Sequence, residues 1–223
     1  MVLILYVDDI LLTGSESTLL QDLISTLSTR FSMKDMGRPS YFQGIEMETH
    51  QENLFLHQQA YIKEILHVAS MSDCNPMPTP IPQCTEAPDT SLFQEPTYFR
   101  SLAGKLQYLT ITRPNIQYAV NLVCQRMHAP TVTDFSLLKH ILRYLKGTLL
   151  YGLHIKKNED FSLMAYCDSD WGGCQETKRS TTGFCTILGS NLVSWSAKRQ
   201  DTVSRSSTEA EYRALPEMAQ EIT

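Results

Sequence analysis

Tyr6-Val7-Asp8-Asp9, set between Val2-Leu3-Ile4-Leu5 and Ile10-Leu11-Leu12-Thr13, is the stretch from which the rest of the chain can be read. Two short apolar runs flank two acids, with room for nothing longer than a tight turn. The pattern predicts a hairpin, with a buried strand over 2–7, a second over 10–13, and Asp8 and Asp9 at the tip. Adjacent carboxylates repel each other, and a cation joining them relieves the cost. Mg²⁺ suits such a pair because it takes hard oxygen ligands and keeps waters that substrate phosphates can replace. Two such ions can activate an attacking hydroxyl and stabilise a leaving oxygen. The plainer alternative is that Asp-Asp is good turn chemistry.

Working outward, Gly14-Ser15 ends the hairpin. Ser15 or Ser17 can cap a helix over 16–31, with Leu19, Leu20, Leu23, Ile24, Leu27 and Phe31 at helical spacing. Gly37-Arg38-Pro39 is a turn, Tyr41 to Glu48 alternates like a strand, and Leu54 to His57 is its candidate partner. Residues 58–69 form a second amphipathic helix. Residues 73–97 then carry six prolines and few large apolar side chains, which prevents helix and favours extended chain. That segment reads as a linker and domain boundary, or as a strap over another surface. Helices follow near 97–109, 114–128 and 132–146, then strands near 150–155, 162–168, 182–188 and 191–195. A last helix starts near 207, with Ser206-x-x-Glu209 as its capping box. The fold class is α+β.

Composition excludes several classes. The 223 residues are 42% hydrophobic and 19% charged, a globular balance rather than a disordered one. No apolar run reaches the ~18 residues of a membrane span. The N-terminus lacks the basic region and cleavage site of a secretory signal, and is neither Arg-rich nor acid-poor like a transit peptide. The expected setting is therefore intracellular. Six cysteines, at 74, 84, 124, 167, 174 and 185, form no C-x-x-C pair and read as free thiols. Cys124 and His128 have metal-like spacing, but no second pair accompanies them. The net charge of -5 hides a division: residues 99–157 hold nine bases and only Asp134 as an acid. Such an excess points to a polyanion or to a solvated helical face.

A second acidic constellation lies at Ala165-Tyr166-Cys167-Asp168-Ser169-Asp170-Trp171, followed on the last helix by Ser206-Ser207-Thr208-Glu209-Ala210-Glu211-Tyr212. Acids at a strand end, joined by a later helical acid, recur in metal-dependent nucleases. Asp170 and Glu209 read as supports of the turn and of the helix N-terminus, where the dipole favours acids.

Together these stretches resemble copia-type retrotransposon Pol polyproteins. Tyr6-Val7-Asp8-Asp9 with Ile10-Leu11-Leu12-Thr13-Gly14 looks like the reverse transcriptase palm motif. Phe31-Ser32-Met33-Lys34-Asp35-Met36-Gly37 and Tyr41-Phe42-Gln43-Gly44-Ile45-Glu46 continue the likeness. The latter is the family's primer-grip hairpin, with Gln43 where Leu is usual. Arg100-Ser101-Leu102, Thr112-Arg113-Pro114 and Leu142-Arg143-Tyr144-Leu145-Lys146-Gly147-Thr148 match its connecting region. Residues 165–212 resemble the ribonuclease H domain that follows. The chain is also similar to short plant mitochondrial reading frames derived from such elements.

The resemblance implies a palm with the start of a thumb over 1–72, a Pro-rich linker over 73–97, a basic helical connection over 98–149, and the front of a ribonuclease H-like sheet over 150–223. It implies Asp8, Asp9, Asp168 and Glu211 as catalytic Mg²⁺ ligands. Tyr6, Gly44, Arg113, Arg126, Lys139, Arg143, Lys146, Lys198, Arg199 and Arg205 become the nucleic-acid contacts, with a primer–template or RNA–DNA hybrid as partner. The family's first palm Asp precedes the residues present here, and its last two ribonuclease H Asp residues follow them. The expectation is an inactive fragment. The alternatives are a binding module on the basic helices 99–157, an enzyme completed in trans by the missing part of Pol, or a relic without selected function.

Overall fold

The computed structural model describes residues 1–82, 88–174 and 176–222. Cys84, read as a free thiol, lies outside them. The five other cysteines are unpaired.

Strands β1 (Val2–Tyr6) and β2 (Asp9–Thr13) form the expected hairpin, in a sheet of their own. Tyr6 lies opposite Asp9, so the turn is Val7-Asp8 and Asp9 belongs to a strand. Val7 takes φ 48°, a costly left-handed conformation for a β-branched residue. The expectation that 2–7 is buried is corrected: every residue of β1 is exposed, Leu5 at 63%, because no element among the described residues covers the two-stranded sheet. Helix α1 (Ser17–Arg30) fully buries no residue. Its cap is Glu16 without a side-chain bond, so neither serine caps it.

A four-stranded antiparallel sheet runs β3 (Tyr41–Phe42), β4 (Ile45–His50), β5 (Asn53–His57) and β6 (Leu153–Ile155). The single strand expected over 41–48 is split at Gln43-Gly44, where φ values of 55° and 76° make the two-residue turn that suits a hairpin. β6, grouped by sequence with the strands after it, instead pairs with β5, Leu153 opposite Leu56.

The core is helical. α2 (Gln59–Val68), α3 (Pro96–Leu109), α4 (Gln117–Cys124) and α5 (Val132–Gly147) meet through Ile62, Ile65, Phe99, Leu106, Val123 and Leu138, all 0% exposed. Burial of each such side chain contributes roughly 2 kcal/mol. Pro96 and Pro114 stand at helix starts, the latter opening a 3₁₀ turn, Pro114–Ile116, that leads into α4. Thr131 and Asp134 form a reciprocal capping box on α5.

The Pro-rich segment crosses α5 as a strap. The Arg143 Nε donates to Asn75 O at 2.8 Å, the Lys146 Nζ to Ser72 O at 2.5 Å, and His140 contacts Thr79 O at 3.0 Å. Prolines supply no N–H, so the strap's carbonyls are met by long side chains rather than by another strand. α2, before the strap, and α3 to α5, after it, share one core.

The last unit is a three-stranded antiparallel sheet, β7 (Leu163–Asp170), β8 (Thr181–Leu188) and β9 (Asn191–Arg199), covered by α6 (Ser207–Ile222) through Ala210 and Ala214. The buried amide of Gln200 ties it together, donating to Ser169 Oγ, Thr182 Oγ1 and Ala210 O. The unit docks on the helices: Trp195 Nε1 donates to Thr110 O at 3.0 Å, and Arg126 pairs with Glu176 at 2.6 Å.

Candidate functional site

Asp8 and Asp9 are both exposed, one on the hairpin turn and the other opening β2. The Gln43-Gly44 turn is held by tyrosines. The Tyr108 hydroxyl, on α3, donates to Gln43 O, and a Cβ on Gly44 would lie 3.5 Å from Tyr108 Cε1. Tyr61 meets Tyr108 edge-on with ring centroids 5.5 Å apart. Lys105 Nζ lies 5.4 Å from the Tyr61 centroid and 2.9 Å from Glu64 Oε1. Burial pushes the Tyr108 hydroxyl pKa up, and the neighbouring hydroxyls of Tyr61, Tyr41 and Tyr6 add to it. Tyr6 therefore lies within electrostatic reach of Tyr108. Sequence reading missed Tyr61 and Tyr108 as supports of the Gly44 turn. They lie 17 and 64 residues beyond Gly44, and only the tertiary fold brings them back to it.

The second acid pair comes from β7 and α6. The Ser169 backbone N–H donates to Glu211 Oε1 at 3.2 Å, which brings the helical carboxylate beside the strand position next to Asp168. Burial raises the pKa of the intervening Cys167 thiol, and the charges of Glu211 and Asp168 raise it further, so both acids border it. Asp170 is turned to structural work. It accepts the Thr181 N–H and receives the Tyr118 hydroxyl at 3.4 Å. Ser206 Oγ accepts the Glu209 N–H at 3.1 Å, as expected for the box, but the return bond goes to the Arg205 N–H at 2.8 Å. Glu209 also accepts Arg213, which, with Arg205, lowers its pKa.

Carboxylates in pairs fit the hard-oxygen chemistry of Mg²⁺ in kind but not in number. No three His, Cys, Asp or Glu side chains gather into a metal-binding group among the described residues. Cys124 is a core residue, its thiol pKa raised by burial.

The cations expected on nucleic acid do not form one open face. Arg113 is 1% exposed, donating to Asn115 Oδ1 and to Thr148 O and Oγ1, so no phosphate reaches its guanidinium in this conformation. Arg143 and Lys146 hold the strap, and Lys139 lies over the Phe135 ring at 5.1 Å. Arg126 pairs with Glu176, Arg199 donates to Cys174 Sγ at 3.7 Å, and Arg205 lies beside Glu209. Of these expected cations, Lys198 alone has no protein partner among the described residues.

The sequence profile of the reverse transcriptase (RNA-dependent DNA polymerase) family matches residues 1–83. An uncharacterized mitochondrial protein of Arabidopsis thaliana is 60% identical over 224 residues, covering all of this chain and 93% of that protein. The retrovirus-related Pol polyprotein from transposon RE1 of the same plant is 44% identical over 99% of this chain, which spans 15% of that polyprotein. The Pol polyprotein from transposon TNT 1-94 of Nicotiana tabacum is 32% identical over 99% of the chain and 17% of its own length. No solved structure matches. No helix among the described residues is long and apolar enough to cross a membrane. With a reverse transcriptase profile over its first third and plant Pol polyproteins matching it end to end, the chain belongs to the copia-type retrotransposon reverse transcriptase family.

Proposed function

We propose that these residues form the rear of a reverse transcriptase and the front of a ribonuclease H. Residues 1–72 are the palm and the start of the thumb, 73–97 a Pro-rich linker, 98–149 the connection, and 150–223 the nuclease portion. Asp8 and Asp9 serve templated deoxynucleotide addition to a primer, and Asp168 and Glu211 serve cleavage of RNA in RNA–DNA hybrids. Mg²⁺, which the family uses, supplies Lewis-acid stabilisation of the phosphoryl oxygens when bound. This chain's residues orient the partners: the Gly44 turn, buttressed by Tyr108, meets the primer strand, and Tyr6 flanks it. Lys198, Arg199 and Arg205 face the hybrid near the nuclease pair, and Arg126, Lys139, Arg143 and Lys146 reach it only where their internal contacts open.

The observation that carries this reading is the bond from the Ser169 N–H to Glu211, which sets a half-buried helical carboxylate beside the residue that follows Asp168, 43 residues beyond that Asp in sequence. Each site within these residues holds two carboxylates, and the loss of even one positioned ligand typically removes most activity. A polypeptide of these residues therefore binds nucleic acid weakly and catalyses neither reaction until a chain with the complementary carboxylates joins it. The test mixes it with the segment that precedes the matching region in the RE1 polyprotein. Mg²⁺-dependent primer extension on mixing, lost in Asp9→Asn, supports the reading. A mixture that binds primer–template but never extends it counts against it.

A further inference from the structure

Arg113 is a buried cation with no carboxylate beside it. Its guanidinium is held by Asn115 and Thr148 and lies 5.5 Å from the Tyr151 ring centroid and 5.9 Å from that of Tyr144. No ion pair to it exists among the described residues. Burial lowers its pKa, as expected for a charge taken out of water without a counterion. In front of Tyr151 and Asn115 opens a cavity of about 300 Å³, walled by Phe55, Tyr151, His154 and Pro114. Phe55 and His154 lie opposite each other across β5 and β6, stacked with centroids 4.5 Å apart. Tyr151 is 56% exposed and His154 is exposed, so the rings form a wet aromatic wall backed by an uncompensated positive charge. Lys156, two residues beyond His154 and also exposed, is the nearest cation along the chain.

Aromatic faces accept the flat π-surface of any base, and a cationic field behind them favours an anionic ligand. Apolar partners would leave the guanidinium uncompensated, and a bare anion would leave the rings unused. We propose that this cavity holds one unstacked nucleotide of a single-stranded nucleic acid, its base on Tyr151 and His154 and its phosphate toward Lys156. The inference rests on the nucleic-acid reading above and adds a single-strand contact distant in sequence from both acid pairs.

The test follows the His154 and Tyr151 ring signals by NMR during titration with adenosine 5′-monophosphate, then with ribose 5-phosphate. In parallel, fluorescence anisotropy measures binding of a labelled single-stranded oligonucleotide. The expected result is movement of both ring signals with the nucleotide and little with the sugar phosphate, with Tyr151→Ala and His154→Ala each weakening oligonucleotide binding about tenfold. Tyr151→Phe should retain most of it, separating stacking from loss of fold. Equal shifts with ribose 5-phosphate, or rings that do not move, would overturn the base site. Oligonucleotide binding untouched by both alanine variants would overturn the pocket while leaving the nucleic-acid reading in place. Nucleotide in the cavity with no oligonucleotide binding would defeat the nucleic-acid reading, and the strand as occupant with it.

Discussion

At the scale of single residues, two positions carry sharp consequences. Gly152 enters β6 so close to β5 that a Cβ would fall on the Leu56 carbonyl oxygen and within 2.8 Å of Phe55 Cε2. A backbone atom cannot move aside as a side-chain end can. Gly152→Ala should therefore destabilise the protein by about 2 kcal/mol or more in urea unfolding, whereas Gly104→Ala, inside α3 with nothing within 4 Å of the added Cβ, should stabilise it by about 0.5–1 kcal/mol. Cys174 is the second case. Burial alone would raise its thiol pKa, but bonds from Thr177, Arg199 and the Glu176 backbone favour the thiolate and bring the pKa down to about 7. The thiolate is the nucleophile, so its alkylation by iodoacetamide should rise through about pH 7, and Arg199→Ala should shift that midpoint upward. An unchanged profile in the variant would contradict the assignment.

At the scale of elements, helix α5 shows how one basic stretch admits more than one use. Lys139, Arg143 and Lys146 recur at helical spacing, which from sequence is equally a phosphate-binding stripe or a solvated one. The structure gives a third use: Arg143 and Lys146 satisfy the carbonyls of the strap. The double variant Arg143→Ala, Lys146→Ala should leave α5 folded, since its Thr131–Asp134 cap and buried face are untouched, but free residues 72–80. Limited proteolysis should then cut that stretch several-fold faster, and equal cleavage would show that the prolines hold the strap unaided. Helices and the later strands were legible because their apolar periods and Pro and Gly punctuation are local signals. What was not legible depends on partners far along the chain. The burial expected of β1 needs a covering surface, the split at Gln43-Gly44 is buttressed by Tyr108, and the pairing of β6 with β5 spans about a hundred residues. Arg113 is the same lesson at one side chain, since nothing near it in sequence shows that Thr148 and Tyr144 enclose it.

At the scale of the whole molecule, the acids were legible in type and order, and the structure adds how they are supported. Asp8 and Asp9 sit on an exposed hairpin whose Tyr6 adds to the upward shift of the Tyr108 pKa, while Glu211 on α6 accepts the N–H of Ser169, the residue after Asp168 on β7. The last sheet docks on the end of α3, on α4 and beside β6 through Trp195, Tyr118 and Asn191. Salt dependence follows from the charges: with most cations engaged internally, binding to an RNA–DNA hybrid should fall with salt at a slope of only two to four released ions. A slope near nine, the count of bases in 99–157, would mean that the internal contacts open on binding. The central claim is that these residues hold half of each catalytic carboxylate set. The most direct test is primer extension with Mg²⁺ by the purified 223-residue polypeptide alone, beside its Asp8→Asn variant. No extension by either is the predicted result. Extension by the wild-type chain that Asp8→Asn abolishes would contradict the account, because a complete polymerase site would then lie within these residues.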